Sequence, residues 1–192
     1  MGKEVFLKNV RICYAQNLFK ASAFEEGKEP KFNAQFIISK DDTAQVKLMQ
    51  DAIEAVAKEK WPDDSKTKNR AAGIIKSLKM TEFICFRDGE LKPDREELEN
   101  SYFVAASNKK KPTAIMRDKT EATEADIYSG CYVNVKVEVY AFEYNTKKMI
   151  PATLLGVQFV KDGDAFAGGA KVADADEFDD ISDVGDNADD LV

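Results

Sequence analysis

Apolar positions along the chain follow two different periods. From Cys131 the sequence alternates strictly. Cys131, Val133, Val135, Val137, Val139 and Ala141 are small and apolar, whereas Tyr132, Asn134, Lys136, Glu138, Tyr140, Phe142 and Tyr144 are polar or aromatic. A period of two with β-branched residues on one side predicts a long strand buried on one face. Alternation also predicts a strand over residues 4–14, with Phe6, Val10, Ile12 and Tyr14 on one face and a bulge or strand end at Lys8. Another is expected over 32–39, with Phe32, Ala34, Phe36 and Ile38 inward. Shorter strands are expected over 83–86, 102–107 and 113–116. A hairpin over 143–148 should join the long strand to a last strand at 154–160. Between 39 and 60 the period lengthens: Val46, Met49, Ile53 and Val56 recur at steps of three and four, the stripe of an amphipathic helix capped by Ser39 or Asp41. Trp61-Pro62 ends it, and a short second helix is expected over 71–79.

Strands of unequal length with a helical insertion favour a mainly β fold: an OB-type antiparallel five-stranded barrel with an inserted α-helix. An antiparallel sheet with helices on one side is the competing arrangement. The domain is expected to span residues 1–169, followed by an acidic tail at 170–192 in which Phe178, Ile181, Val184 and Leu191 are isolated among carboxylates. Such a segment has too little apolar surface to fold and is expected to be disordered.

Charge sharpens that division. The net charge is −7, from 28 bases and 35 acids. Nine of the acids and none of the bases lie after Val172, so the preceding residues carry 28 bases against 26 acids, a net of +2. A slightly basic body with an acidic appendage points to a polyanion or a protein partner without choosing between them. No run approaches the roughly 18 apolar residues of a membrane span, and the first ten residues, MGKEVFLKNV, lack a signal-peptide core. The expected location is therefore the cytoplasm. Cys13, Cys85 and Cys131 each lie in an apolar run without CxxC spacing, and read as buried hydrophobes in a reducing compartment.

Catalytic signatures are absent. The 192 residues contain no His, which removes the usual base of a nucleophilic triad, and no Gly-rich phosphate loop occurs. Asp63 and Asp64 followed by Lys66 superficially resemble a nuclease carboxylate–lysine set, but all three are contiguous rather than gathered from separate strands. A non-enzymatic protein without metal or cofactor is expected. A protein-only interaction adaptor and, behind it, a metal-dependent nuclease are the alternatives.

Three features favour single-stranded nucleic acid. Tyr132 and Tyr140 stand on the polar face of the long strand, where two readings weigh equally: strand-forming rings packed beneath a loop or helix, or platforms on which a stacked base contributes roughly 1–3 kcal/mol whatever its identity. Bases concentrate in loops and turns, with Lys109, Lys110 and Lys111 the densest cluster and Arg87, Lys147 and Lys148 in other turns. Cations beside a groove track phosphates and release counterions. The tail, finally, can compete with a polyanion for its own body's cationic groove or dock on a partner.

Three blocks carry a family resemblance: Phe86-Arg87-Asp88-Gly89-Glu90; the run from Tyr102 through Lys109-Lys110-Lys111-Pro112; and the run from Ile127 through Tyr140-Ala141-Phe142 to Gly156 and Gly163. In order and spacing they resemble the phage single-stranded-DNA-binding proteins once catalogued as a domain of unknown function. That resemblance implies an OB fold coating single-stranded DNA without sequence preference during phage replication or recombination, in the cytoplasm of a bacterial host. It also implies a tail that recruits a replicative polymerase, helicase or recombinase through such residues as Asp176, Glu177, Phe178, Asp179, Asp180, Asp189 and Asp190. The last four residues, Asp189-Asp190-Leu191-Val192, depart from the commonest tail pattern in lacking a terminal Phe. The DNA contacts expected from motif and chemistry together are Arg87, Tyr102, Lys109, Lys110, Lys111, Tyr132, Lys136, Tyr140, Lys147 and Lys148.

Overall fold

The computed structural model describes residues 1–23 and 25–166. All the tail residues named above lie outside the described residues. Nine strands occur among those described: β1 (Lys3–Cys13), β2 (Phe32–Ser39), β3 (Phe86–Asp88), β4 (Ser101–Asn108), β5 (Thr113–Ile115), β6 (Tyr132–Val139), β7 (Phe142–Tyr144), β8 (Lys147–Met149) and β9 (Ala152–Lys161). Helices α1 (Thr43–Lys60) and α2 (Arg70–Leu78) lie between β2 and β3.

Five strands close on themselves. β2 pairs with β1, β1 with β6, β6 with β9, and β2 with β4, all antiparallel; a parallel contact between Ser107 of β4 and Thr153 of β9 completes the ring. This is the five-stranded barrel expected of an OB fold. β3 extends it beside β4, and β5 runs parallel to β9.

The valine face behaves as its period requires. Val133, Val135, Val137 and Val139 have no solvent exposure and meet Leu7, Ile12, Phe36, Val104 and Leu154 in the interior. Burying each such side chain contributes roughly 1.5–3 kcal/mol. α1 starts at Asp42, whose Oδ1 accepts from the Gln45 amide at 3.3 Å, and packs Met49, Ile53 and Val56 into the same core against β1 and β6. The stripe thus faces the helix's own domain, and α2 packs on α1.

Several expectations are corrected. In β1 the inward residues are Val5, Leu7, Val10 and Ile12, while Phe6 is 48% exposed. A register shift between Leu7 and Val10, with Asn9 at φ 53°, reverses the facing of everything before it. Tyr14 leaves the strand at φ 59° and is exposed. The long alternating stretch is two strands: β6 ends at Val139, and β7 belongs to a separate ribbon with β8, turned by Asn145 and Thr146, both at positive φ. Two such residues suit the tight turns that match strand twist. β5 pairs with β9 and not with β4, whose free edge β3 and β9 occupy. Of residues 83–86 only Phe86 enters a strand; Ile84 bridges Ile150 instead.

Candidate nucleic-acid interface

Side chains that point out of the barrel on β2 and β4 make the floor of a groove of about 660 Å³. Asn33 and Gln35 come from β2 and, directly opposite them in register, Ser107 and Ala105 from β4. One wall is built from Ser22, Glu25, Lys28, Glu29 and Lys31. The other is Phe83–Cys85 with Pro151 and Ala152, tied together by Ile150 N donating to Phe83 O and Cys85 N donating to Ile150 O, each at 2.8 Å. Asn33 holds the loop wall: its Nδ2 donates to Ser22 Oγ, and its Oδ1 accepts from Asn17 Nδ2, both at 3.1 Å.

Arg87 and Lys92 line the groove, and Arg95 joins them through Gln35. The Arg87 guanidinium lies over the Phe103 ring at 4.8 Å, and the Lys92 ammonium reaches the same ring at 5.6 Å. Arg95 donates to Gln35 Oε1 and to Glu97 Oε1, each at 2.7 Å, and covers Tyr14 at 5.3 Å. Arg87 Nε is buried with no hydrogen-bond partner among the described residues. Burial lowers the pKa of Arg87; burial and then repulsion from Arg87 and Arg95 lower that of Lys92. Arg87 and Lys92 have no carboxylate partner among the described residues, whereas Arg95 is paired with Glu97.

Local sequence explains how this cluster is built. Asp88 caps the turn after β3 by accepting from the Glu90 amide at 3.0 Å, and its carboxylate also pairs with Lys40 at 2.9 Å. A Cβ on Gly89 would strike the carbonyl oxygens of Leu98 and Ser101, so only glycine lets the cation-bearing 89–100 segment fold back on β4. In the Arg-Asp-Gly turn, therefore, Asp88 and Gly89 position the segment, and Arg87 faces the groove.

The residues expected to touch DNA divide. Arg87 and Lys109 line the groove, Lys109 in an ion pair with Glu29 at 2.6 Å that holds the Glu29 carboxyl below its usual range. Lys147 stands on the Phe83 wall, its ammonium 3.8 Å from the ring centroid. Lys148 instead pairs with Glu143 at 3.7 Å. Lys110 belongs to the turn, where its amide donates to Asn108 Oδ1, and Lys111 leans on Phe19. Tyr102 points inward from β4, against Phe86 at 4.8 Å. Lys136 and Tyr132 are on the outer face of β6, where Lys136 pairs with Glu4 at 2.7 Å and Tyr132 lies under Lys161 and Arg11. Tyr140 is half-buried and stacked on Phe142 at 5.9 Å.

The sequence reading missed Lys92, Arg95, Gln35 and Phe83 as groove residues. Arg87, Lys92 and Arg95 lie within nine positions of one another, a signal hidden by the acids of what reads as a charged loop. The metal-nuclease alternative loses its residues: Asp63 accepts from the Asn69 and Arg70 amides at the start of α2, and Asp64 from the Lys66 and Thr67 amides. All three cysteines are buried; burial pushes the Cys13 thiol up to about 11 and Cys85 to about 12.

On the same outer side, Phe166 packs against Cys13, Ile37, Leu98 and Phe103, and the Arg11 guanidinium lies 4.2 Å from its ring centroid. Arg11 also donates to the Asp164 and Gly130 carbonyls. The last described residue is thereby fixed on the Phe103 cluster, next to the cations.

Three known proteins resemble this chain, two in fold and one in sequence. The single-stranded DNA-binding protein of bacteriophage Enc34, solved in complex with single-stranded DNA, superposes with a TM-score of 0.70 at 25% identity, covering 85% of this chain and 89% of that one. Bacteriophage T7 gp2.5, a single-stranded DNA-binding protein, shares the fold at a TM-score of 0.51 and 12% identity, over 88% and 92% of the two chains. Putative protein p50 of Acyrthosiphon pisum secondary endosymbiont phage 1 is 36% identical over 182 residues, 93% of this chain and 94% of that protein. Residues 3–192 match the family described as Enterobacter phage Enc34, ssDNA-binding protein, and the chain belongs to that family.

Proposed function

We propose that this chain binds single-stranded DNA without sequence preference, phosphates being held first by Arg87 and Lys92 in the β2–β4 groove, and by Lys109 once it exchanges its Glu29 partner for phosphate. The observation that carries the reading is Arg87, a groove-lining cation with a buried, unpartnered Nε beside two further cations. A phosphate in the groove offsets the repulsion that Arg87 and Arg95 exert on Lys92, and contacts to the backbone rather than to base edges carry no sequence information. Family membership and the DNA complex of the Enc34 protein support the same reading.

Residues 1–169 serve as the binding domain and 170–192 as a tail that competes with DNA and recruits a polymerase, helicase or recombinase during phage replication or recombination in a bacterial host. Support for competition comes from Phe166: the acidic residues follow shortly after a point fixed beside the cation cluster. An acidic chain tethered there meets the groove at high effective concentration.

Anisotropy of a labelled oligo-dT tests the central reading. The full chain should bind at low salt, with log affinity falling against log salt by about 0.7 per phosphate contacted, and should leave the oligomer uncut when Mg²⁺ is added. Absence of binding at low salt would sink the reading.

A further inference from the structure

The β7–β8 ribbon is chemically two-sided. Register pairs Tyr144 with Lys147 and Phe142 with Met149, whereas Glu143 pairs with Lys148. Residues paired across an antiparallel ribbon share one face, and their chain neighbours take the other. The Glu143 face is anchored to the body: Glu143 Oε2 accepts from Trp61 Nε1 at 3.1 Å, and Oε1 meets Lys148 at 3.7 Å. The ribbon's only carboxylate is thus turned away and neutralised. The other face carries Phe142, Tyr144 and Lys147, and Lys147 rests on Phe83, the ring that lines the groove wall. Tyr144 is 68% exposed, and no aromatic or cationic partner covers its ring among the described residues.

Resting on the single-stranded-DNA reading above, we propose that Tyr144 is a base-stacking residue, and that the β7–β8 ribbon is an arm holding a base beside the Phe83 wall while Lys147 meets its phosphate. The strand then passes from the Arg87 cluster along the groove floor to the arm. A ring standing in solvent at the end of β7, where its backbone is already fixed by pairing with Lys147, needs little further ordering when a base covers it, and an aromatic face accepts any base. The neighbouring ammonium supplies the counter-charge without a competing carboxylate on that side.

Binding of the full-length protein to oligo-dT and to an abasic oligomer of equal length separates stacking from phosphate contact. Wild type should prefer oligo-dT. Tyr144→Ala should weaken oligo-dT binding about fivefold or more without a matching loss on the abasic oligomer, and Tyr144→Trp should restore it. The side chain is largely exposed, so the truncation does not disturb the core. Equal losses on both oligomers, or no loss on oligo-dT, would overturn the stacking role while leaving the DNA-binding reading intact. A wild type that binds neither oligomer would overturn both.

Discussion

Two outer faces of one barrel carry cations beside aromatic rings, and they are not equivalent. On the β6 face, Lys136 is matched by Glu4 at 2.7 Å, and Tyr132 is sandwiched by Lys161 and Arg11. On the β2–β4 face, Arg87 and Lys92 share the Phe103 ring, and the buried Nε of Arg87 has no acceptor among the described residues. A cation already paired with a carboxylate must give up that partner before it can hold a phosphate. One that is desolvated and unpaired gains on first contact. The two faces thus differ at Arg87 and Lys92, which have no carboxylate partner among the described residues, and it is there that phosphates are proposed to bind.

The sharpest way to break this contrast is at Arg87. Arg87→Gln should weaken oligo-dT binding roughly tenfold or more at low salt, as expected for a charge-assisted contact worth about 1.5–3 kcal/mol, and should lower the salt slope by about 0.7. Titrations at several salt concentrations read both quantities; an unchanged slope would remove Arg87 from the phosphate path. A smaller, opposite effect is expected on truncation after Phe166. Removing the acidic residues beyond it should tighten DNA binding several-fold at low salt, and the gain should shrink as salt screens the competition. Equal affinity of the two forms would argue against self-competition. The smallest effect belongs to the β6 face. Lys136→Gln should leave oligo-dT affinity within about twofold, the range expected where an exposed ion pair is worth about 0–1 kcal/mol. A loss there as large as at Arg87 would erase the distinction between the faces.

Much of the fold was legible because strand and helix periods are local. The bounds of β2 follow from the alternation of Phe32 through Ile38, and the α1 stripe from the steps between Met49, Ile53 and Val56. Errors fell where one residue changes the parity of all that precede it, as at the Asn9 bulge, which turns Phe6 to solvent. They also fell where an alternating pattern outlasts its strand, as from Tyr140 to Tyr144. The site was less legible than the fold. Lys109 and Lys136 are both lysines beside strand residues, and nothing near either in sequence indicates that Glu29 sits across from one and Glu4 from the other.

By itself the sequence determined the β-barrel class, the buried valine face, the helical insertion, the division into a basic body and acidic tail, and the family, since each depends on residue order and short-range period. Which rings and cations face a common groove was decided only by tertiary structure. Closure of β4 on β9, the fold-back of 89–100 over Gly89, and the Phe83–Ile150 seam bring together groups far apart in the chain. The direction of a side chain along a strand is a local property, whereas the partner that neutralises its charge is set by whichever distant segment the fold lays beside it.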